Sequence, residues 1–411
     1  MKKIKLALHS QILIGLGLGL VFGVLLPDYV VNIKWLGDIF LRALKMITIP
    51  IVFTSIVTGT LGIGKSAELG RITFKTLGFY ISTTAVAVIL GLVLIGIISP
   101  GTGNMNLALS QDVIVIAESP SFIEQIVNIV PDNIIKAMSE GNMLPVIFFS
   151  VLLGFFITRI DREAGNTLGN FFDAAYKVVM KITMLIIRFA PIGIFAIVSN
   201  TIARQSGELI ATLGSLGKYT LVVWLGCAIH GGLILPSIVF VFGKANPWKH
   251  IKMMSSAILT AFSTCSSAAA LPISLRDTEQ KVGVSNKIAS FTLPLGATIN
   301  MNGTALYEAV TVLFIAQVYG LDLSLWQQAV VALTAILAAI GAAGIPMAGL
   351  VMLSVVLQAV GLPLEGIGLV IAVQQLCDMP RTAVNSYGDM CAAVVIAKSE
   401  GEKLNIEMKQ T

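Results

Sequence analysis

Residues 378–389 read DMPRTAVNSYGD and place strongly polar side chains in a region that is otherwise apolar. Asp378, Arg381, Asn385 and Asp389 follow one another at intervals of three or four residues, which puts them on one face of a single helix. A charge at membrane depth costs between about 3 and about 17 kcal/mol, according to how it is measured. Such charges persist only where they are paired, hydrated or used. This polar stripe therefore indicates a binding site for a small charged solute.

The composition around this stripe is that of an integral membrane protein. The 411 residues are 56% hydrophobic and only 12% charged, whereas a soluble domain carries about 25% charged residues. The net charge of +5 does not indicate a nucleic-acid partner, because the Lys and Arg residues lie in short segments between apolar runs. The cysteines have no metal or disulfide spacing, and we expect apolar filler roles for Cys227, Cys265, Cys377 and Cys391.

Uncharged runs mark the expected membrane spans, since about 20 helical residues cross a hydrocarbon core of about 30 Å. These runs are 6–27, 46–64, 76–111, 141–158, 189–203, 219–243, 253–275 and 288–307. Lys and Arg residues precede the first run and flank alternate ends of the later ones. The positive-inside rule then predicts a multi-pass protein of the cell membrane with both termini cytoplasmic.

Two uncharged runs do not fit a simple span. Residues 323–364 are about twice as long as one crossing requires, and GAAGIP at 341–346 interrupts them. Residues 253–275 carry STCSS at 263–267 between two apolar arms. We expect both runs to fold back as re-entrant hairpins, and such a pair of interrupted segments indicates a transporter binding site.

The residue types of the stripe match the chemical groups of an acidic amino acid. Arg381 offers a planar fork that fits a carboxylate. Asp378, one turn earlier, can hold an ammonium group, and Asn385 can serve a carboxylate or an amine. The alternative is an internal ion-pair network that locks helices together.

Further polar residues interrupt other apolar runs. ATINMNGT at 297–304 clusters amides and hydroxyls around Gly303, which we expect to weaken the helix locally. This cluster indicates either hydrogen bonds between helices or carbonyls that hold a hard cation such as Na⁺. Glu308 is either a residue at the boundary of a span or a proton carrier, because a buried carboxyl group can be neutral near pH 7. Hydroxyl groups also recur at helical spacing at Tyr80, Thr83 and Thr84, although Thr commonly bonds back to its own helix.

In their order along the chain, these motifs resemble those of the glutamate/aspartate transporters in the dicarboxylate/amino acid:cation symporter family. They are the serine pair of the first hairpin, NMNGT, GAAGIP and DMPRTAVNSYGD, while KMITIP at 45–50 and NMLP at 142–145 are similar to the family's N-terminal half. The resemblance covers nearly the whole chain. It implies an all-α homotrimer in which each chain has eight transmembrane helices and two re-entrant hairpins. A mobile transport domain would move past a fixed scaffold as an elevator.

The resemblance also implies how the chain is divided between these two domains. Residues 1–70 would hold scaffold helices 1 and 2, and residues 71–112 would hold transmembrane helix 3 of the transport domain. Residues 113–215 would form scaffold and trimer-forming helices 4 and 5. Residues 216–411 would complete the transport domain with helix 6, the first hairpin, helix 7, the second hairpin and helix 8.

By the same resemblance, residues are assigned to the substrate and to the transported cations. The substrate would be bound by Ser266, Ser267, Thr304, Ile345, Gly349, Asp378, Arg381, Thr382 and Asn385. One Na⁺ would lie at Gly296, Asn300, Asn385 and Asp389, and a second at Thr298, Ala339, Ile340 and Ala342. A third would use Tyr80, Thr83, Thr84, Asn300 and Asn302. Glu308 matches a position that resembles the proton-carrying glutamate of animal members. No cofactor is expected beyond co-transported Na⁺ or H⁺.

Three departures from the family pattern concern the ions more than the substrate. Sodium-coupled members usually carry Asp at the positions of Asn302 and Gln374, and often have a second Arg at the position of Cys265 or Met379. Loss of a carboxylate from a dehydrated cation site should weaken Na⁺ binding there. We therefore expect symport of L-aspartate or L-glutamate with H⁺ and/or Na⁺, and with reduced sodium dependence.

Other functions remain open on the sequence alone. They are a C4-dicarboxylate or neutral amino acid:cation symporter of the same fold, and a channel or receptor that does not transport. Asp378 disfavours a dicarboxylate, because its carboxylate would repel one. An enzyme is least expected, since no nucleophile–base pair or metal cluster is visible in the sequence.

Overall fold

The computed structural model describes residues 8–63, 70–102, 127, 129–204, 209–341 and 348–407. All the regular elements in these ranges are helices, as the predicted fold class requires. By length and hydropathy alone, three of the described helical segments can cross a membrane, or four if one pair bent by 51° counts as a single span. The three are Lys34–Leu61, Arg71–Ile98 and Thr212–Val241, and the bent pair is Arg162–Arg188 with Ala190–Asn200. Shorter apolar helices lie at Ile14–Leu25, Pro145–Ile157, Leu325–Ile340 and Gly349–Ala359.

The N-terminal half begins with long apolar helices. The helices are α1 (Leu8–Leu25), α2 (Lys34–Ile63), α3 (Gly70–Ile98), α4 (Ile134–Glu140), α5 (Met143–Ile157), α6 (Arg162–Arg188) and α7 (Ala190–Arg204), with a 3₁₀ helix at Pro27–Asn32. α2 begins well before the uncharged run predicted from residue 46. The first part of α2 contains Lys34 and Arg42, so it lies outside the uncharged run. It is nevertheless helical, because Lys and Arg favour helix.

The C-terminal half contains more and shorter helices. They are α8 (Leu209–Ile229), α9 (Leu235–Val241), α10 (Pro247–Thr264), α11 (Ser267–Asp277), α12 (Asn286–Ile299), α13 (Asn302–Val318), α14 (Leu325–Gly341), α15 (Ala348–Ala359), α16 (Ile367–Val370) and α17 (Gln374–Ser399). π-helical turns lie at His230–Ile234 and Thr278–Val282, and a 3₁₀ helix lies at Leu364–Gly366. The four cysteines are buried and free, in agreement with their predicted role as fillers.

α10 and α11 form an antiparallel hairpin where the first interrupted run predicts one. Cys265 turns the chain in the left-handed region, with φ of 50°. The side chain of Ser266 then accepts a hydrogen bond from the backbone of the first turn of α11. At the open end of the hairpin, the side chains of Thr278 and Lys281 donate hydrogen bonds to α10. The polar STCSS segment therefore lies at the tip of this hairpin.

The second interrupted run forms two half-helices that pack against each other, α14 and α15. Both halves also pack on α13. The predicted break at 341–346 begins at the end of α14, and residues 342–347 lie outside the described residues.

The apolar run 288–307, predicted as one span with a helix weakened at Gly303, is divided between two helices. The chain leaves helical geometry at Asn300 and Met301, between α12 and α13. Gly303 is not the point of weakness, because it lies within the first turn of α13. Its missing side chain admits the main chain of Arg381, since a Cβ at Gly303 would lie 2.3 Å from the Arg381 carbonyl oxygen.

Most helices of the N-terminal half pack on one another, while α3 packs with the C-terminal helices. α2 contacts α5, α6 and α7, and α1 contacts α7. α3 packs on α8 and α13, and α10, α12 and α13 pack on α17. α2 also touches α14 and α15, and Thr48 and Ser354 share a buried hydrogen bond of 2.9 Å there. Every residue of α13 except Gln317 is buried, so α13 is the central helix of the C-terminal group.

Candidate functional site

The polar stripe lies on α17 and faces the protein interior. Asp378, Arg381, Asn385 and Asp389 each expose 4% of their surface or less. α10, α12 and α13 pack against this helix and separate the charges from the surroundings. The structure thus places the stripe where a charged solute would be enclosed by protein.

Arg381 is the central cation of the site. Its Nε donates to Asp378 Oδ1 at 2.8 Å, and Thr382 Oγ1 donates to the same oxygen at 3.1 Å. The guanidinium lies 4.6 Å from the centre of the Tyr307 ring, which is favourable for a cation. α15 closes over it, since a Cβ at Gly349 would lie 2.2 Å from Nη1. Nη1 itself is buried and has no hydrogen-bond partner among the described residues, so it can bind an added acceptor.

Asn385 joins the stripe to the broken helix. Its Oδ1 accepts from the backbone N–H groups of Gly303, at 2.7 Å, and Thr304, at 3.3 Å. Its Nδ2 donates to Thr304 Oγ1 at 3.0 Å. The side chain therefore caps the first turn of α13, where a helix has unsatisfied donors. This cap joins Thr304 to the same helix as the Asp378–Arg381 pair.

The tip of the first hairpin reaches the start of α17. Gln375 Nε2 contacts Cys265 Sγ at 3.1 Å. Ser266 is occupied as the cap of α11, whereas Ser267 Oγ is buried without a hydrogen-bond partner within the described ranges. The structure therefore brings the hairpin serines to the same end of α17 as Asp378. Ile345, also predicted to bind substrate, lies outside the described residues.

Three members of the first predicted cation set lie together around Asp389. Asn300 Nδ2 donates to Asp389 Oδ1 at 2.8 Å, and a Cβ at Gly296 would lie 2.3 Å from the same carboxylate oxygen and 2.6 Å from the Tyr80 hydroxyl. Gly296 O already accepts from the backbone of Asn300. Asn385 bonds to α13 and is not in hydrogen-bond contact with Asp389. Asp389, Asn300 and Gly296 thus form one compact group.

For the second predicted set, the structure brings the helices into contact but describes only part of the set. α12 packs on α14, and Ile340 lies against the buried cluster of Tyr80, Ile299 and Ala392. Thr298 Oγ1 donates to the carbonyl of its own helix at Leu295. Ala339 is fully buried, and Ala342 lies outside the described residues.

The third predicted set combines α3 with the start of α13. Thr83 donates to the Phe79 carbonyl of its own helix, which is the ordinary behaviour of Thr. Thr84 instead donates to Asn302 Oδ1 at 2.6 Å. Tyr80 donates to the carbonyl of Thr292 at 2.8 Å. Tyr80, Thr84, Asn300 and Asn302 are buried here without an acidic side chain at position 302.

Glu308 is not a boundary residue, and that alternative is wrong. Its side chain is fully buried, because α13 is surrounded by α3, α8, α14, α15 and α17. Neither carboxyl oxygen has a hydrogen-bond partner in the part of the chain that the structure describes. An unpaired buried carboxylate is costly, so this geometry favours a protonated acid.

Sequence reasoning missed three residues that complete the site. The ring of Tyr307 makes a cation–π contact with the Arg381 guanidinium, and its hydroxyl donates a hydrogen bond to Gln374. Gln375 ties α17 to the hairpin tip. His230 contacts Asn302. His230 carried a usable signal, since it is a polar residue within the uncharged run 219–243, whereas the roles of Tyr307 and Gln375 depend on tertiary contacts.

The chain matches the model of the sodium:dicarboxylate symporter family over residues 8–399. It belongs to this family. The predicted family resemblance is thus confirmed over nearly the whole chain.

Relatives from bacteria and animals match this family member along most of their length. A proton/sodium-glutamate symport protein of Bacillus caldotenax is 36% identical over 408 residues, which cover 97% of this chain and 96% of the relative. The proton/glutamate-aspartate symporter of Escherichia coli (strain K12) is 34% identical over 417 residues, with 97% and 94% covered. Excitatory amino acid transporter 2 of Mus musculus is 34% identical over 458 residues, with 96% and 79% covered.

Proposed function

We propose that this protein is a secondary active symporter that carries L-aspartate or L-glutamate with H⁺ and/or Na⁺, and that it is not an enzyme. The names of its relatives describe symport of glutamate or aspartate with protons or sodium. The observation that carries the substrate class is the buried Arg381–Asp378 pair, with Thr304 and Asn385 beside it. A cation and an anion one turn apart match the carboxylate and the ammonium of an acidic amino acid.

Each group of such a substrate has a counterpart in this site. Nη1 of Arg381 would receive the side-chain carboxylate, and Asp378 and Thr382 would receive the ammonium. The buried Ser267 hydroxyl and the second hairpin, including Ile345, would hold the main-chain carboxylate. A C4-dicarboxylate offers no ammonium group and would meet Asp378 with a like charge. A neutral amino acid would leave Arg381 without an anionic partner.

Calorimetry on the detergent-solubilised protein, in the presence of the coupling cation, tests this substrate class. L-Aspartate and L-glutamate should bind, whereas succinate and L-alanine should give no heat at concentrations that saturate with aspartate. Binding of succinate as tight as that of aspartate would contradict the role of Asp378. It would favour the dicarboxylate alternative.

We infer that the fold is the elevator architecture of eight transmembrane helices, two re-entrant hairpins, a homotrimer and cytoplasmic termini. The support is the grouping of helices, since α1, α2, α5, α6 and α7 pack together while α3 packs with the C-terminal helices. We propose the domain boundaries 1–70, 71–112, 113–215 and 216–411 on the basis of the family resemblance. Cysteine accessibility mapping tests the second hairpin: labelling of 341–346 by water-soluble reagents is expected, and a lipid-facing segment would refute the architecture.

We propose that the second hairpin is the extracellular gate. α15 contacts the substrate-binding Arg381 at Gly349, so movement of this hairpin would uncover the guanidinium. The glycines at 341 and 344 permit backbone conformations that other residues avoid. Accessibility of the tip to a protease should fall when aspartate binds. Unchanged accessibility in every ionic condition would contradict the gate.

We propose that transport has a reduced dependence on Na⁺. A proton is either co-transported together with Na⁺ or takes its place. One cation group survives at Asp389 and Asn300, while Asn302 and Gln374 supply amides where carboxylates would hold a cation more strongly. Glu308, buried among apolar helices, would carry the proton. Aspartate affinity titrated against Na⁺ at fixed pH tests this, followed by uptake under a pH gradient alone. A roughly third-power dependence on Na⁺ with no response to the pH gradient would refute it.

A further inference from the structure

His230 is a fully buried histidine that the proposed substrate and cation sets do not include. It opens the π-helical turn His230–Ile234 between α8 and α9, and such turns occur frequently at functional sites. Its Nε2 lies 3.3 Å from Asn302 Nδ2. Its Nδ1 has no hydrogen-bond partner among the described residues.

Asn302 is held at both ends of its amide group. Its oxygen accepts from Thr84 at 2.6 Å, and its nitrogen faces the histidine ring. An amide has two unlike ends, because the nitrogen only donates hydrogen bonds and the oxygen only accepts them. A carboxylate at this position would present an oxygen at either end. The asparagine must therefore be oriented by its neighbours if its oxygen is to serve a cation.

His230 can supply the required acceptor in one of its two neutral tautomers. With the ring proton on Nδ1, Nε2 accepts from Asn302 Nδ2 and holds the amide oxygen toward Thr84 on α3. Without this acceptor, an amide with its nitrogen turned toward Thr84 would point two N–H groups at the third cation set. Those groups would repel a cation.

We propose that His230 is a positioning residue that sets the orientation of the Asn302 amide and thereby adapts the third cation set to a neutral side chain. This inference rests on the proposed cation-coupled function. It involves no change in the protonation of His230. The π-helical turn contributes by placing this histidine opposite the start of α13.

The experiment compares His230→Leu in two backgrounds, natural Asn302 and Asn302→Asp. The readout is the cation concentration that gives half-maximal aspartate binding to the purified protein, measured for Na⁺ at fixed pH and for H⁺ without Na⁺. Loss of one hydrogen bond of this kind predicts an increase of about fivefold or more with Asn302. In the Asn302→Asp background, His230→Leu should change this cation concentration by less than about twofold. Both ends of a carboxylate are oxygen atoms, so its orientation does not matter.

Two further variants keep the test decisive. His230→Gln retains a side-chain acceptor and should restore most of the natural cation dependence, and His230→Phe replaces His230→Leu if the latter does not fold. Equal shifts in both backgrounds would show a purely structural histidine and overturn the inference, as would no shift in either. Aspartate binding by the natural protein that needs neither Na⁺ nor H⁺ would instead contradict the proposed function.

Discussion

At the scale of residues, several polar atoms that lack partners in the described structure surround the stripe of α17. They include Nη1 of Arg381, Oγ of Ser267, Oδ1 of Asn300 and both carboxyl oxygens of Glu308. A buried polar group without a hydrogen bond costs about 1–3 kcal/mol. A site that is completed by a charged solute and by cations would leave such atoms without partners along this stripe.

Arg381→Cys should abolish binding of acidic substrates and admit neutral amino acids. Truncating one member of a buried charged pair costs about 2–5 kcal/mol, which raises the dissociation constant for aspartate by roughly 30-fold to several thousandfold. Calorimetry with L-aspartate and with neutral amino acids measures both effects. Arg162→Cys, at an exposed position at the start of α6, is the matched control and should bind aspartate normally. Undiminished aspartate binding by Arg381→Cys would refute the assignment of Arg381.

At the scale of elements, hydropathy located the helices better than it located their breaks. The hairpin α10–α11 was predictable because STCSS interrupts an apolar run in the sequence itself. The break between α12 and α13 was predicted near Gly303, but its position was not, because Asn385, which caps α13, lies 82 residues further along the chain from Gly303. The same limit applies to the site. The polar residue types of α17 and their spacing were predictable from the sequence. The contacts of Tyr307, Gln375 and His230 were not, because they depend on helices that meet only in the folded protein.

Gly303→Ala should destabilise the contact between α13 and α17. The added methyl would lie 2.3 Å from the carbonyl oxygen of Arg381, and the three nearest atoms all belong to the Arg381 main chain. Overpacking of this kind costs about 1–3 kcal/mol. Thermal unfolding in detergent should show a lower melting temperature for Gly303→Ala. Gly217→Ala is the control, since no atom lies within 4 Å of its added methyl; equal melting temperatures for the two variants would contradict the close approach.

At the scale of the whole molecule, ionic contacts join α3 to the end of α17. Glu400 binds Arg71, and its Oε1 accepts from Lys75 Nζ at 2.7 Å. The hydrogen bonds from Arg71 and then Lys75 lower the pKa of the Glu400 carboxyl from its ordinary value of 4.5. A group whose pKa is lowered by folding stabilises the folded state above its unfolded pKa, and this contribution is lost as the pH falls through the folded pKa.

Glu400→Gln should therefore lower the melting temperature at pH 7 and have little effect at acidic pH. The difference from the natural protein should shrink as the pH falls below 4.5 and disappear below the folded pKa, where Glu400 is protonated in both states. Melting temperatures between pH 3 and pH 8 measure this. Glu163→Gln, at an exposed carboxyl of α6, is the control. A difference that stays constant over this range would show that the charge of Glu400 does not matter.

Symport of an acidic amino acid driven by a cation gradient can be measured as uptake into liposomes that contain the purified protein. With an inward gradient of H⁺, of Na⁺ or of both, L-aspartate should accumulate inside above its external concentration. An ionophore that collapses the gradient should release the accumulated substrate. Aspartate that only equilibrates across the liposome membrane, with or without these gradients, would contradict symport and favour a channel.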